Sequence, residues 1–173
     1  MKKAYLIIAS VLALGLTSCS QNEEVNSLVG NYTYKVSGVV TIEHSDTLVG
    51  DVHLTPETGT MTLTGTGKEK EVVMSFNQTS GDVYDVTAVV TGDSLYVRPT
   101  HRNIEVEVAR DTLVLGTVIK RQEIFDVEVQ GSGYMLSNGD VCLMLTYDGE
   151  ERNDPKYKLS GKNIHLHCVR NAK

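Results

Sequence analysis

The sequence predicts an all-β domain, an antiparallel up-and-down barrel of roughly 8 to 10 strands with a β-sandwich as the alternative, preceded by a signal-peptide helix. Three observations lead there. Apolar and polar residues alternate with a period of two through most of the chain, which sends every second side chain to one face of an extended strand. Turn-forming residues interrupt these runs at short, regular spacing, as hairpin-linked strands require. Beyond the N-terminus no segment carries a helical apolar stripe.

The N-terminus has its own grammar. Lys2 and Lys3 precede a mostly apolar run at residues 4–16, and Thr17 and Ser18 lead into Cys19. That order is the order of a secretory signal peptide, and the run falls short of the ~20 apolar residues needed to span a bilayer. Residues 1–18 are therefore expected to be a removed leader. Residues 20–28 are polar and acidic with no periodic apolar face, which predicts a flexible linker over residues 19–28. A single domain then occupies residues 29–173.

The domain opens on one long strand in which Tyr32, Tyr34, Val36, Gly38, Val40 and Ile42 share a face. The same alternation places Leu48, Val52 and Leu54 together, then Met61 with Leu63, and then Val72, Met74 and Phe76. It continues through Tyr84, Val86, Ala88 and Val90, through Leu95 and Val97, and through Ile104, Val106 and Val108. Phe125, Val127 and Val129 follow, then Val141, Leu143, Leu145 and Tyr147, then Ile164 and Leu166. Between the runs, residues 45–46, 56–59, 65–67, 80–82, 92–93, 137–140, 148–149 and 160–162 carry the turn chemistry. Residues 112–119 are apolar at nearly every position, which fits a strand buried on both faces or a bulged one.

Charge and cysteine content narrow the function. The net charge is −6, and Lys2 and Lys3 belong to the leader, so the exported chain is more acidic still. Nucleic acid, which needs a basic footprint, is a poor partner. After Cys19, two cysteines remain. With strands at 139–148, 155–160 and 163–169 in a meander, Cys142 and Cys168 sit near opposite ends, beyond the ~7 Å Cα separation a disulfide tolerates, and free buried thiols are expected. If residues 149–161 were one long loop, the two would face each other across a hairpin.

Two resemblances attach to these residues. Leu16-Thr17-Ser18-Cys19 resembles the lipobox of bacterial lipoproteins, which implies a diacylglyceryl group on the Cys19 thiol and acylation of its freed amine with a fatty acid such as palmitate. Ser20 resembles the pattern of outer-membrane sorting, and Glu23 with Glu24 resembles the acidic surface-export signal of Bacteroidota lipoproteins. Gly30-Asn31-Tyr32 is similar to the Gly-x-Trp opening of lipocalins and other calycins, with Tyr32 in place of the Trp. The stretch carrying Phe125, Gly131, Gly133, Asn138, Gly139, Leu145 and Tyr147 is similar to the late strands of calycin-like lipoproteins of Bacteroidales. Together these imply a lipid-anchored, lipocalin-like barrel at the outer membrane, on its periplasmic face or at the cell surface.

No catalytic residue, metal ligand set or cofactor is expected. His44, Ser45 and Asp46 are consecutive in an extended chain and cannot face one another as a relay. His165 and His167 share a face, but His101 in a separate loop is the plausible third zinc donor and has no supporting motif. Glu105 with Glu107 and Asp126 with Glu128 read as ordinary outward carboxylates. Tyr34, Phe76, Tyr84, Phe125 and Tyr147 fall on the inner face and are the candidate cavity residues; they either line a ligand site or fill the core. Arg98, Arg102, Arg110, Lys120 and Arg121 bias one segment towards positive charge, as an anion site or as scattered solvated groups. Two noncatalytic functions stand open. One is binding of a small lipophilic or amphipathic ligand; the other is protein interaction, as an enzyme inhibitor or surface assembly component, through loops 43–47, 77–82 and 148–155.

Overall fold

A computed structural model describes residues 23–114 and 117–172, so the expected leader at residues 1–18, Cys19 and residues 20–22 lie outside the described residues. Ten strands form one sheet: β1 (Gly30–Ser37), β2 (Val39–His44), β3 (Thr47–His53), β4 (Glu57–Gly65), β5 (Glu71–Gln78), β6 (Val83–Thr91), β7 (Ser94–Val114), β8 (Thr117–Met135), β9 (Val141–Glu151) and β10 (Tyr157–Arg170). All pairings are antiparallel. Strands β4 to β10 meander in chain order, and β1 closes the ring between β10 and β4. Eight strands thus make a closed barrel, which leaves that part of the sheet without free edges.

The hairpin β2–β3 is the addition to this ring. It pairs through β2 with the first half of β10, from Tyr157 to Ser160, while β1 takes the second half, from His165 to Arg170. The wall therefore has two storeys. The lower one is the eight-stranded barrel; the upper one carries β3, β2 and the extended parts of β10, β9, β8 and β7, with β3 lying near β7. Arg98 and Pro99 mark the level where β7 leaves β6, since the ladder with β6 ends at Val97.

The inner face follows the alternation. Tyr32, Tyr34, Val36, Val40 and Ile42 are all buried, as are Val72, Met74 and Phe76 on β5 and Val141, Leu143, Leu145 and Tyr147 on β9. At ~25 cal/mol per Å² of apolar surface, this continuous core is the main favourable term holding the fold.

Several expectations are corrected. Residues 23–28 are not spacer: they form a helix, α1 (Glu23–Leu28), whose Val25 and Leu28 are buried under the lower end of the barrel. Two apolar residues three apart are too few to register as periodicity, yet they suffice to plug a barrel end. The first long strand bends at Gly38, where any Cβ would press on Ile164, and so divides into β1 and β2. Residues 160–162 are a bulge inside one long strand, β10, rather than a turn, because the ladder to β9 resumes at Ile164. Gly149 likewise lies within β9, passing so close to the Asp126 carbonyl that a side chain would collide. Glu57, expected in a turn, begins β4. Leu48 is exposed, because the register shift at Ile42/Glu43 turns the tip of β3 outward. For residues 112–119 the bulged alternative holds, since the β7–β8 register shifts between Arg110 and Val114 before Val114 pairs with Thr117.

The cysteines are free as expected, but not because distance separates them. Cys142 stands opposite His167 and Cys168 opposite Val141, so the two are near neighbours on β9 and β10 rather than at opposite ends. Both are free, because successive positions point to opposite faces: Cys168 is buried inside and Cys142 is only partly buried on the outer wall.

Candidate functional site

Where β4 begins and β7 parts from β6, an acidic and a basic side chain turn into the barrel. Glu57 shares the inward parity of Gly59, Met61 and Leu63, and Arg102 that of Ile104, Val106 and Val108. Arg102 Nη2 lies 2.7 Å from Glu57 Oε2, with side chains only 11% and 17% exposed. The other carboxylate oxygen accepts hydrogen bonds from the Tyr34 hydroxyl at 2.9 Å and the Tyr84 hydroxyl at 2.6 Å. The Arg102 guanidinium also sits 3.9 Å from the centre of the Tyr84 ring, a cation–π contact. Tyr84 stacks on Phe76 at 4.8 Å, and Phe76 meets Tyr34 edge to face at 4.9 Å.

Each polar group here has a partner, which is what makes a buried ion pair tolerable. Burial pushes the Tyr34 and Tyr84 hydroxyls above their ordinary range. The negative charge of Glu57 adds to this and the positive charge of Arg102 opposes it. Burial likewise raises Tyr147 to about 12. All three phenols are therefore neutral hydrogen-bond donors at physiological pH.

Four of the five expected aromatic residues meet around one cavity: Phe76, Tyr84 and Tyr147 line it with Arg102, and Tyr34 packs on Phe76. Phe125 does not join them. It lies in the upper storey, opposite Ile104 and Glu151. The cavity measures about 20 Å³, room for one water molecule and far below the ~300 Å³ or more of a ligand pocket. In chemical terms the arrangement is a carboxylate-holding site whose carboxylate is supplied by the chain itself.

In the sequence Glu57 reads as a turn residue and Arg102 as part of either an anion site or a scatter of solvated cations; the structure gives Arg102 an anion supplied by the chain itself. The signal that finds them is parity, since both alternate in step with apolar neighbours, and a charged group in such a position needs an opposite charge nearby. The remaining candidates are dispersed. His101 lies on the outer wall between Asp126 at 3.4 Å and Glu128 at 3.7 Å, remote in sequence from outward His165 and His167. No group of three or more metal-binding side chains occurs among the described residues. Lys120 pairs with Glu107 on the outer wall. On the outer surface a groove of about 560 Å³ opens at the β10 bulge, lined by Thr41, Ser160, Lys162, Asn163 and His165 with Gly38.

Loops 43–47 and 148–155 come together at the upper end. The Ser45 amide donates to the Lys156 carbonyl at 3.0 Å, and the His44 and Tyr157 rings lie 4.3 Å apart. Loop 77–82 ends lower, at the level of Glu57, because β5 and β6 stop there.

The architecture is a closed barrel of eight antiparallel strands with two further strands and a helical turn at one end. No family model and no curated protein matches the chain. Among solved structures it is similar to transferrin binding protein B, a vaccine antigen of Haemophilus parasuis Hp5 carrying a tryptophan-to-alanine substitution. That match has 13% identity and a TM-score of 0.38, and it covers 86% of this chain but 28% of the other.

Proposed function

We propose that this chain is a noncatalytic, lipid-anchored protein-interaction module of the outer membrane or cell surface, held there through Cys19, with its upper rim as the binding end. The observation that carries this reading is the junction of loop 43–47 with the chain just after loop 148–155, made by the Ser45–Lys156 hydrogen bond and the His44–Tyr157 contact. Two segments about a hundred positions apart thereby form one surface. Glu43, Asp46, Asp148 and Glu150 are exposed on it, interleaved with exposed Arg152, Lys156 and Lys158, and the net charge of −6 over the whole chain favours a basic protein partner. The filled interior supports the same reading, since a cavity of about 20 Å³ offers a lipophilic ligand no volume. A soluble form starting at Ser20, which keeps α1 intact, is the bait for capture of partners. Reversal of Glu43 and Glu150 to Lys is expected to abolish capture while Tyr147→Phe leaves it intact; capture indifferent to the rim refutes the assignment.

A carrier role is the second reading, favoured by the gathering of Tyr34, Phe76, Tyr84 and Tyr147 beside the gap where β7 leaves β6. It requires the Glu57–Arg102 pair to open. Native mass spectrometry decides: a retained small molecule supports the carrier, and the bare polypeptide mass supports the interaction module.

A further inference from the structure

Exposed large apolar side chains occur at several places: Val39, Leu48 and Val49 lie on the β2–β3 hairpin, Val83 at the start of β6 and Val29 before β1, and a further group shares one wall. Tyr96 (52% exposed), Tyr134 (54%) and Met144 (47%) lie on the outer wall of β7, β8 and β9, with Val169 on β10 and Leu136 in the turn below. Register makes the first three neighbours: Tyr96 and Met144 both stand opposite Ser132, and Tyr134 is two positions further along β8. All five occupy the lower storey, the half of the wall whose end carries α1.

The anchor point is on that same end. α1 is fastened to the barrel by the buried Val25 and Leu28, by the Tyr32 hydroxyl donating to the Leu28 carbonyl at 2.6 Å, and by Arg170 donating to the Ser27 and Val29 carbonyls, each at 2.8 Å. The Glu24 carboxylate accepts from the Gly92 amide at 3.2 Å, tying α1 to the β6–β7 turn as well. Only four residue steps separate Glu23 from Cys19, a reach of about 14 Å even when fully extended. The upper rim is roughly 30 Å away along the tilted β10 strand. A leash this short holds the lower end at the bilayer and leaves the rim beyond it.

We infer that the lower end and the adjoining β7–β9 wall form a surface that rests on the lipid bilayer, with Tyr96 and Tyr134 at headgroup level and Met144 beside them. Tyrosine suits this place because its ring is apolar and its hydroxyl reaches water or headgroups. Contact with the wall restrains the tilt that a lipid anchor alone leaves free, and it aims the upper rim away from the membrane. The inference rests on lipidation at Cys19.

The test uses the full lipidated protein in phosphatidylethanolamine/phosphatidylglycerol vesicles, carrying Cys142→Ser to remove the partly exposed thiol. A fluorophore is placed in turn at Ser132→Cys on the apolar wall, Asp85→Cys on β6 outside this wall, and Glu150→Cys on the rim, and is quenched by nitroxide-headgroup lipids. Ser132→Cys is expected to be quenched several-fold more than the other two, and the difference is expected to shrink when Tyr96 and Tyr134 are both changed to Ser. Equal quenching at all three positions, in protein that floats with the vesicles, overturns the inference and leaves the anchor intact. Protein that fails to float overturns both.

Discussion

Arg102 on β7 and Glu57 on β4 meet at 2.7 Å across the waist of the barrel, although no main-chain ladder joins their strands. The contact fastens the place where β6 and β7 separate, beyond the shortest ladder in the closed wall. Removing one partner strands the other in a mostly buried site, so Arg102→Met is expected to cost about 2 to 4 kcal/mol. Glu57→Gln with Arg102→Met should cost less than the two single changes summed, with a coupling of about 1 to 3 kcal/mol in urea unfolding. Additive costs would mean that the pair does not act as a unit.

The buried tyrosines set an alkaline limit. Tyr147 keeps its proton up to about 12 through burial, against an ordinary 10.0, and Tyr34 and Tyr84 are raised in the same direction. The unfolded chain releases these protons first. Their contribution to stability is therefore complete below about pH 10 and is lost as the pH climbs through 12. Urea midpoints measured across this range should fall, and Tyr147→Phe should make the fall shallower.

Thiol chemistry separates the two free cysteines. Burial raises Cys168 to about 12, and its Sγ lies 3.8 Å from the Met61 sulfur inside the barrel. In the soluble form starting at Ser20, a disulfide reagent at neutral pH should modify Cys142 slowly and Cys168 only after denaturation. Two equivalent thiols in the native protein would contradict the opposed faces of Cys142 and Cys168.

The N-terminal plug is expected to be energetic as well as geometric. Leu28→Ala removes a side chain 1% exposed and should cost about 2 to 4 kcal/mol. Tyr32→Phe loses the hydrogen bond to the Leu28 carbonyl and should cost about 1 kcal/mol or more, with faster amide exchange confined to residues 23–30. Truncation to residue 29 should lower the unfolding temperature. A truncated chain as stable as the parent would make α1 an ornament.

A tight approach between β8 and β9 accounts for Gly133. A Cβ there would collide with the Cys142 carbonyl, so Gly133→Ala should destabilise by about 1 to 3 kcal/mol by forcing the strands apart. Thermal unfolding measures it directly.

The sequence by itself determined which side chains face inward. Parity is a local property of extended backbone, and from Tyr32 to Leu166 it separated core from solvent almost without error, the tip of β3 excepted. It already contained the inward positions of Glu57 and Arg102, though a charged residue in an apolar rhythm was easier to discount than to follow. Only the tertiary structure decided that Glu57 meets Arg102, that Phe125 stands apart from the other aromatics, that Cys142 and Cys168 are neighbours on opposite faces, and that six residues of apparent spacer plug the barrel. Those outcomes depend on bulges, strand lengths and the register of all the pairings at once. Closure is a property of the whole sheet, and no single run of residues carries it.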